Sequence, residues 1–273
     1  MAHRDKNHQP AAYTFGDSDI AARRLSTVAD VFAPSSAAFL HRSAPRPVRL
    51  AVDLGCGPGH STRLIASTVT AEQVIGLDRS PAFLSLAAAD APARIGFEQH
   101  DVTEPRLPLA LSPDLIYARL LLSHLTDPVD VVRHWCAQLA PRGRLLLDEV
   151  DRVTTEHPVA LDYQRVVDSM LRHNGQRLEI GSTLARMPDP EGTVRRDDTL
   201  VTVRPSSRSV GRMFGLNLRV WREDPYVAAT FGTPWLMELQ EHLDAAAAGE
   251  MDLPVTWTMR QLVLETCLLG MLR

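Results

Sequence analysis

Three glycines alternate at Gly55, Gly57 and Gly59, with Asp53 just ahead of them, and these residues are suited to holding a small charged ligand. Glycine backbone reaches left-handed conformations and lets a ligand come close. A helix opening at His60–Ser61 aims its first N–H groups at the same place. Two further acids end short strand-like segments: Asp78 closes Glu72–Leu77, and Asp101 follows Ile95–His100. The tips of adjacent parallel strands lie side by side, so the Asp78 carboxylate can accept hydrogen bonds from both hydroxyls of a ribose. His124 follows a fourth apolar run. An imidazole of ordinary pKa, about 6.5, can take a proton from a hydroxyl or ammonium group near neutral pH. The set suits a nucleotide-like cofactor with a second reactant beside it.

Those side chains need a sheet to carry them. Leu50–Val52 reads as a first strand and Glu72–Asp78 as a second. Ser80–Pro81 then starts a helix, with a hydroxyl cap and proline at the first helical position. Ile95–His100 is the third strand and Asp114–Arg119 the fourth, running on through Leu120–Leu125. Asp127–Pro128 opens a helix whose Val129, Val132, Cys136 and Leu139 form one apolar stripe. Leu139–Gly143 breaks it, and Arg144–Val150 is the fifth strand.

The pattern D-x-G-x-G-x-G at 53–59 resembles motif I of the class I S-adenosylmethionine (SAM) methyltransferases. It departs from the dinucleotide fingerprint G-x-G-x-x-G, whose third glycine is here His60. Leu139–Leu147 is similar to the family's L-x-P-G-G-x-L turn, with Arg142 in place of one glycine. The resemblance covers residues 48–150. It implies an α/β, Rossmann-like, seven-stranded, mostly parallel sheet with helices on both faces. It also implies SAM as cofactor, held by Asp53, Gly55, Cys56, Gly57, Gly59, Asp78, Arg79, Asp101, Val102 and Arg119. In such enzymes the acid at Asp101 receives the adenine amino group, and the Gly55–Gly59 turn lies against the methionine portion.

Specificity should lie outside this core. Residues 1–47 read as an N-terminal helical lid, with a helix over 18–33 capped by Ser18 and another starting at Pro34. Tyr13 and Phe15 are substrate contacts or a packing staple. Residues 151–192 form a helical substrate cap, where Tyr163, a packing residue or a substrate contact, lies on a helix opened by Pro158 and a short helix covers about Leu178–Ala185. Residues 193–273 supply strand six (Thr199–Arg204) and strand seven (Val255–Leu264), with helices Ser207–Trp221 and Pro234–Ala248 between them. Phe214–Leu218, Trp221–Arg222 and Trp257–Gln261 are similar to bacterial small-molecule methyltransferases of the trans-aconitate-like group.

Composition narrows the function. The 273 residues carry a formal net charge of -4, which gives no global attraction to nucleic acid. Of the 29 basic residues only Lys6 is lysine, a bias that codon usage explains, so the arginines of 195–222 are not read as a binding patch. Cys56, Cys136 and Cys267 have neither disulfide nor metal spacing, and no metal is expected. No signal peptide or membrane span is apparent, which makes the cytoplasm the expected compartment. Tyr117–Leu120 contains neither the Asn/Asp-Pro-Pro-Tyr-like tetrad of amino methylation on bases nor a cysteine nucleophile. The expected reaction is methyl transfer to O, N or C of a small molecule, with a specialised metabolite as the expected substrate. A nicotinamide-dependent oxidoreductase and a non-catalytic SAM-binding protein are the rival readings, and a homo-oligomer stays open. His124 is the general base, a packing residue at the start of the next helix, or a binding contact to the substrate.

Overall fold

Alternation along the strands decides which layer each residue joins. In β1 (Val48–Leu54) Leu50, Val52 and Leu54 face one layer and Ala51 the other. In β4 (Leu115–Arg119) Ile116 and Ala118 oppose Leu115 and Tyr117. The same split separates Leu145 and Leu147 from Leu146 in β5 (Arg144–Thr154), and Leu262 and Leu264 from Val263 in β7 (Thr256–Thr266). Strands apolar on both faces must be covered on both, and helices do so. The computed structural model describes residues 19–267.

With β2 (Ala71–Asp78), β3 (Ile95–Gln99) and β6 (Thr193–Val203), the sheet has seven strands in the order β3-β2-β1-β4-β5-β7-β6. The first five are parallel, and β7 runs antiparallel between β5 and β6. Strand order reverses between β1 and β4, the point where open α/β sheets bind ligands beyond their carboxyl ends. On one face lie α1 (Asp19–Ser43), through Phe39 and Leu40, and α2 (His60–Thr68), through Ile65 and Ala66. On the other lie α4 (Pro128–Cys136), through Val131, Val132 and Trp135, and α6 (Gly181–Arg186), through Leu184. Between β2 and β3 runs α3 (Pro81–Ala88), capped by Ser80 Oγ, which accepts from the Phe83 N–H at 3.2 Å.

A third cluster joins α5 (Pro158–His173), α7 (Ser207–Trp221), α8 (Pro225–Phe231) and α9 (Thr233–Ala248) to the ends of β5 and β7, with Phe32 of α1. At Gly211 a side-chain carbon would collide with the backbone of α9 at Leu243–Ala247, so glycine alone lets α7 pack there.

The structure corrects several sequence expectations. α1 is continuous through Pro34. A proline inside a helix costs about 3 kcal/mol or more. Burial of Phe32 in the cap and of Phe39 and Leu40 on the sheet, each worth about 1.5–3 kcal/mol, offsets this. β6 starts at Thr193, ahead of the expected Thr199, because it pairs along the whole of β7. Three helices, not two, separate β6 from β7: Asp224 caps an additional α8 by accepting from the N–H groups of Tyr226 and Val227. β4 ends at Arg119 instead of running on to Leu125, since Leu120 turns to φ 53°. Among the described residues no helix is long and apolar enough to cross a membrane.

Candidate active site

The turn after β1 carries Gly55, Gly57 and Gly59 at φ 64°, 51° and 82°. The Cys56 N–H donates to the Leu77 carbonyl at 3.0 Å, which ties the turn to the tip of β2. A side-chain carbon at Gly55 would stand 2.7 Å from Leu121 Cδ1, and one at Gly57 3.5 Å from Leu25 Cδ1. Bare backbone is therefore required where Leu121 approaches, and α1 lies over the turn through Leu25.

Asp53 is buried and turned beneath the start of α2. Its Oδ2 accepts from Ser61 Oγ at 2.7 Å and Thr62 Oγ1 at 2.6 Å, while the buried Oδ1 has no partner among the described residues. Burial pushes its pKa up to about 6, against those two hydrogen bonds and the charge of Arg119. Asp78 accepts from the Gly57 N–H at 2.8 Å on Oδ2 and from the Ser80 N–H at 2.9 Å on Oδ1. Burial raises its pKa too, opposed by those N–H groups and by Arg79. Each Asp78 oxygen keeps a lone pair for a further donor.

Asp101 follows β3, and its Oδ1 accepts from the Thr103 N–H and hydroxyl at 2.9 and 2.7 Å. Burial raises its pKa, but the Thr103 bonds and the charges of Arg79 and His100 outweigh it and hold the carboxyl below its ordinary value. Val102 is buried, and its carbonyl accepts from Trp135 Nε1 at 2.9 Å. Trp135 thus fixes the Asp101–Val102 loop. Its place on the inward face of α4 was a usable signal, because a buried indole N–H needs an acceptor.

Across the switch point, Arg119 Nη1 donates to Ser36 Oγ at 3.3 Å, and Ser36 Oγ donates to Asp148 Oδ2 at 2.7 Å. Tyr117 and Gln261 also donate to Asp148, and together these groups anchor α1 to the sheet. After Leu120 the chain forms a single 3-10 turn, Leu122–His124. Glu149 Oε1 accepts from the N–H groups of Leu121 and Leu122 at 2.9 and 3.0 Å. This fully buried acid lies inside an apolar strand, so nothing in the sequence marked it. Burial pushes its pKa up to about 8, against those two bonds. Burial, with the charges of Arg24 and Arg79, takes His124 down to about 3. The His124 carbonyl accepts from Gln176 Nε2, on the loop between α5 and α6, at 2.7 Å.

Asp78 is hydrogen-bonded to the glycine turn, and Asp53 holds the start of the helix that follows the turn. Asp101 and Val102 flank the turn beyond β3, Arg119 ends β4, and His124 lies past it. Cys56 contributes backbone only: its thiol is buried, a side-chain carbon at Gly76 would stand 2.9 Å from its Sγ, and burial raises its pKa. Tyr163 is drawn into the cap instead of the site. Its ring stacks on Phe214 at 3.7 Å between centroids, and its hydroxyl accepts from Asn217 Nδ2 at 2.6 Å. Tyr13, Phe15 and Ser18 lie outside the described residues. Among the described residues no cluster of three His, Cys, Asp or Glu side chains could hold a metal.

Residues 51–143 match the family described as "Methyltransferase domain". The chain is 42% identical over 121 residues to a trans-aconitate 2-methyltransferase of Methylobacterium radiotolerans, covering 43% of this chain and 44% of the relative. To the enzyme of that name from Klebsiella pneumoniae it is 39% identical over 116 residues, 42% of this chain and 45% of the relative. The match spans less than half the length of these curated relatives. In fold the chain resembles coclaurine N-methyltransferase bound to N-methylheliamine and SAH, with TM-score 0.53 and 13% identity over 86% of this chain and 72% of the other. It equally resembles the [4+2]-cyclase SpnF, with TM-score 0.53 and 20% identity over 86% of this chain and 82% of the other. That fold therefore carries more than one chemistry, and the site must say which.

Proposed function

We propose that this chain, whose residues 51–143 match the methyltransferase domain family, is a class I methyltransferase that transfers the methyl group of SAM to a small carboxylic acid in the cytoplasm. The observation that carries the reading is a set of carboxylates, Asp53, Asp78 and Asp101, at or just beyond three neighbouring strand tips around a positive-φ glycine turn. The residues fit the cofactor. Its ammonium, its ribose hydroxyls and its adenine amino group are donors that carboxylates can meet, and the unpartnered Oδ1 of Asp53 is a buried acceptor beneath the turn. An acceptor left so costs about 1–3 kcal/mol, which a donor from a ligand would recover.

SAM, when bound, supplies a methyl group activated on a sulfonium. Asp78 holds the ribose hydroxyls, Asp101 the adenine amino group, and the backbone of Gly55–Gly59 receives the methionine portion. Burial first, and then the charges of Arg24 and Arg79, depress His124, so positive charge within reach of that edge favours an anion there. Trans-aconitate, the substrate named for the curated relatives, has that chemistry. An ionised carboxylate is already a nucleophile, so the chain has to align it and exclude water. Such alignment is worth about 7–11 kcal/mol. His124, with a pKa near 3, is neutral at physiological pH and too weakly basic to take a proton from a hydroxyl or ammonium group. We assign it a hydrogen-bonding role toward the acceptor in place of the general base. Residues 151–192 act as the lid beside α1, whose Leu25 lies over the glycine turn, and Gln176 links them to the His124 backbone.

The test uses SAM labelled in its methyl group with a panel of small di- and tricarboxylic acids, trans-aconitate among them, beside amines and phenols. The expected product is a base-labile methyl ester from an acid. Labelling confined to amines or phenols would overturn the acceptor class.

A further inference from the structure

Leu120, at φ 53°, turns the chain out of β4, so the next two backbone N–H groups leave the sheet ladder and point toward β5. Buried N–H groups need acceptors. Both are met by one oxygen of Glu149, a residue with no exposed surface. Its other oxygen, Oε2, is buried and has no partner among the described residues. The natural cation for it is absent: Arg260 pairs with Glu149 across β5 and β7 but gives its guanidinium to Asp151 and Asp198. The carboxyl therefore serves the turn alone.

What the turn carries gives this a consequence. Leu121 packs directly over Gly55, and the His124 N–H closes the turn on the Leu121 carbonyl at 3.0 Å. We infer that Glu149 is a positioning residue, which sets Leu121 against the glycine turn and His124 at the acceptor edge through its hold on the Leu121 and Leu122 N–H groups. The inference rests on the reading of that edge as a cofactor and acceptor site.

Glutamine offers the same carbonyl acceptor without a charge, whereas leucine offers none. Glu149→Gln and Glu149→Leu are compared by amide hydrogen exchange and by calorimetric titration with S-adenosylhomocysteine. In Glu149→Gln, protection of the Leu121 and Leu122 amides and affinity for the ligand should stay within about threefold of wild type. In Glu149→Leu both amides should lose protection and affinity should fall by about tenfold or more, while the amides of β1 keep their protection. Should Glu149→Leu fail to fold, scalar coupling in wild type between the two amide nitrogens and the Glu149 carboxyl carbon reports the contact without a variant. The inference is overturned if that coupling is absent, if Glu149→Leu behaves as wild type, or if Glu149→Gln loses as much as Glu149→Leu. Failure of wild type to bind the ligand would instead overturn the cofactor reading, with the exchange and coupling results still deciding the hold on the turn.

Discussion

The carboxyl edge of the sheet and the helical cap use their side chains in opposite ways. At the edge, Asp53, Asp78, Asp101 and Glu149 each spend carboxylate oxygens on hydroxyl or N–H groups of the adjoining loop. In the cap, Tyr163 stacks on Phe214 and Trp221, Trp257 meets Phe214 at a tilt, and Tyr163 meets its hydroxyl's need inside the cluster through Asn217. The edge stores charge in rigid turns, the arrangement a polar cofactor needs ready before it binds. The cap supplies apolar volume. Changing the edge should alter binding with modest effect on stability, and changing the cap should do the reverse. The matched methyltransferase domain ends at residue 143, and the cap lies beyond it.

The largest effect should come from the cap. Tyr163→Ala removes a buried ring from the stack and should cost about 3–5 kcal/mol by denaturant unfolding. Cofactor affinity in the folded fraction should be unchanged, and a large loss there would erase the contrast. Asp78→Ala should do the opposite. Losing an acceptor for a buried polar ligand costs about 1–3 kcal/mol, so SAM affinity should drop by about ten- to a hundredfold with the melting temperature little changed. Unchanged affinity would remove the ribose assignment.

Glu149→Gln sharpens the comparison by pH. Because the folded-state pKa is raised to about 8, the wild-type carboxyl contributes most below its unfolded value, and that contribution is lost as pH rises through 8. The glutamine variant should gain on wild type by up to about 1.4 kcal/mol per pH unit between about 4.3 and 8, read from unfolding curves at several pH values. A constant difference would show that Glu149 does not titrate in this range. The smallest change is expected at His124: His124→Asn should keep turnover within about tenfold, and the wild-type rate should show no inflection near pH 6. A loss of two decades or more would restore the base role.

Much of the cofactor side was legible because local chemistry dictates it. Alternating glycines, acids at strand ends and Ser80–Pro81 each act within a few residues of their own position, and Asp78 meets Gly57 as strand adjacency requires. What stayed hidden depends on distant partners. Pro34 reads as a helix start, and only Phe32 on the cap together with Phe39 and Leu40 on the sheet keeps α1 whole. Glu149 reads as one more strand position, since its role appears only when Leu120 turns over it. Tyr163 lies at helical spacing whether it packs or binds, and Asn217, far along the chain, decides between them. His124 loses its basicity to burial beside Arg24 and Arg79, two residues from other elements.

Titration of the wild-type chain with SAM, followed calorimetrically beside Asp78→Ala, is the most direct test. One SAM per chain, bound by wild type about ten- to a hundredfold more tightly than by a folded Asp78→Ala, is the predicted result. No heat from wild type, or equal affinity in both proteins, would contradict the account.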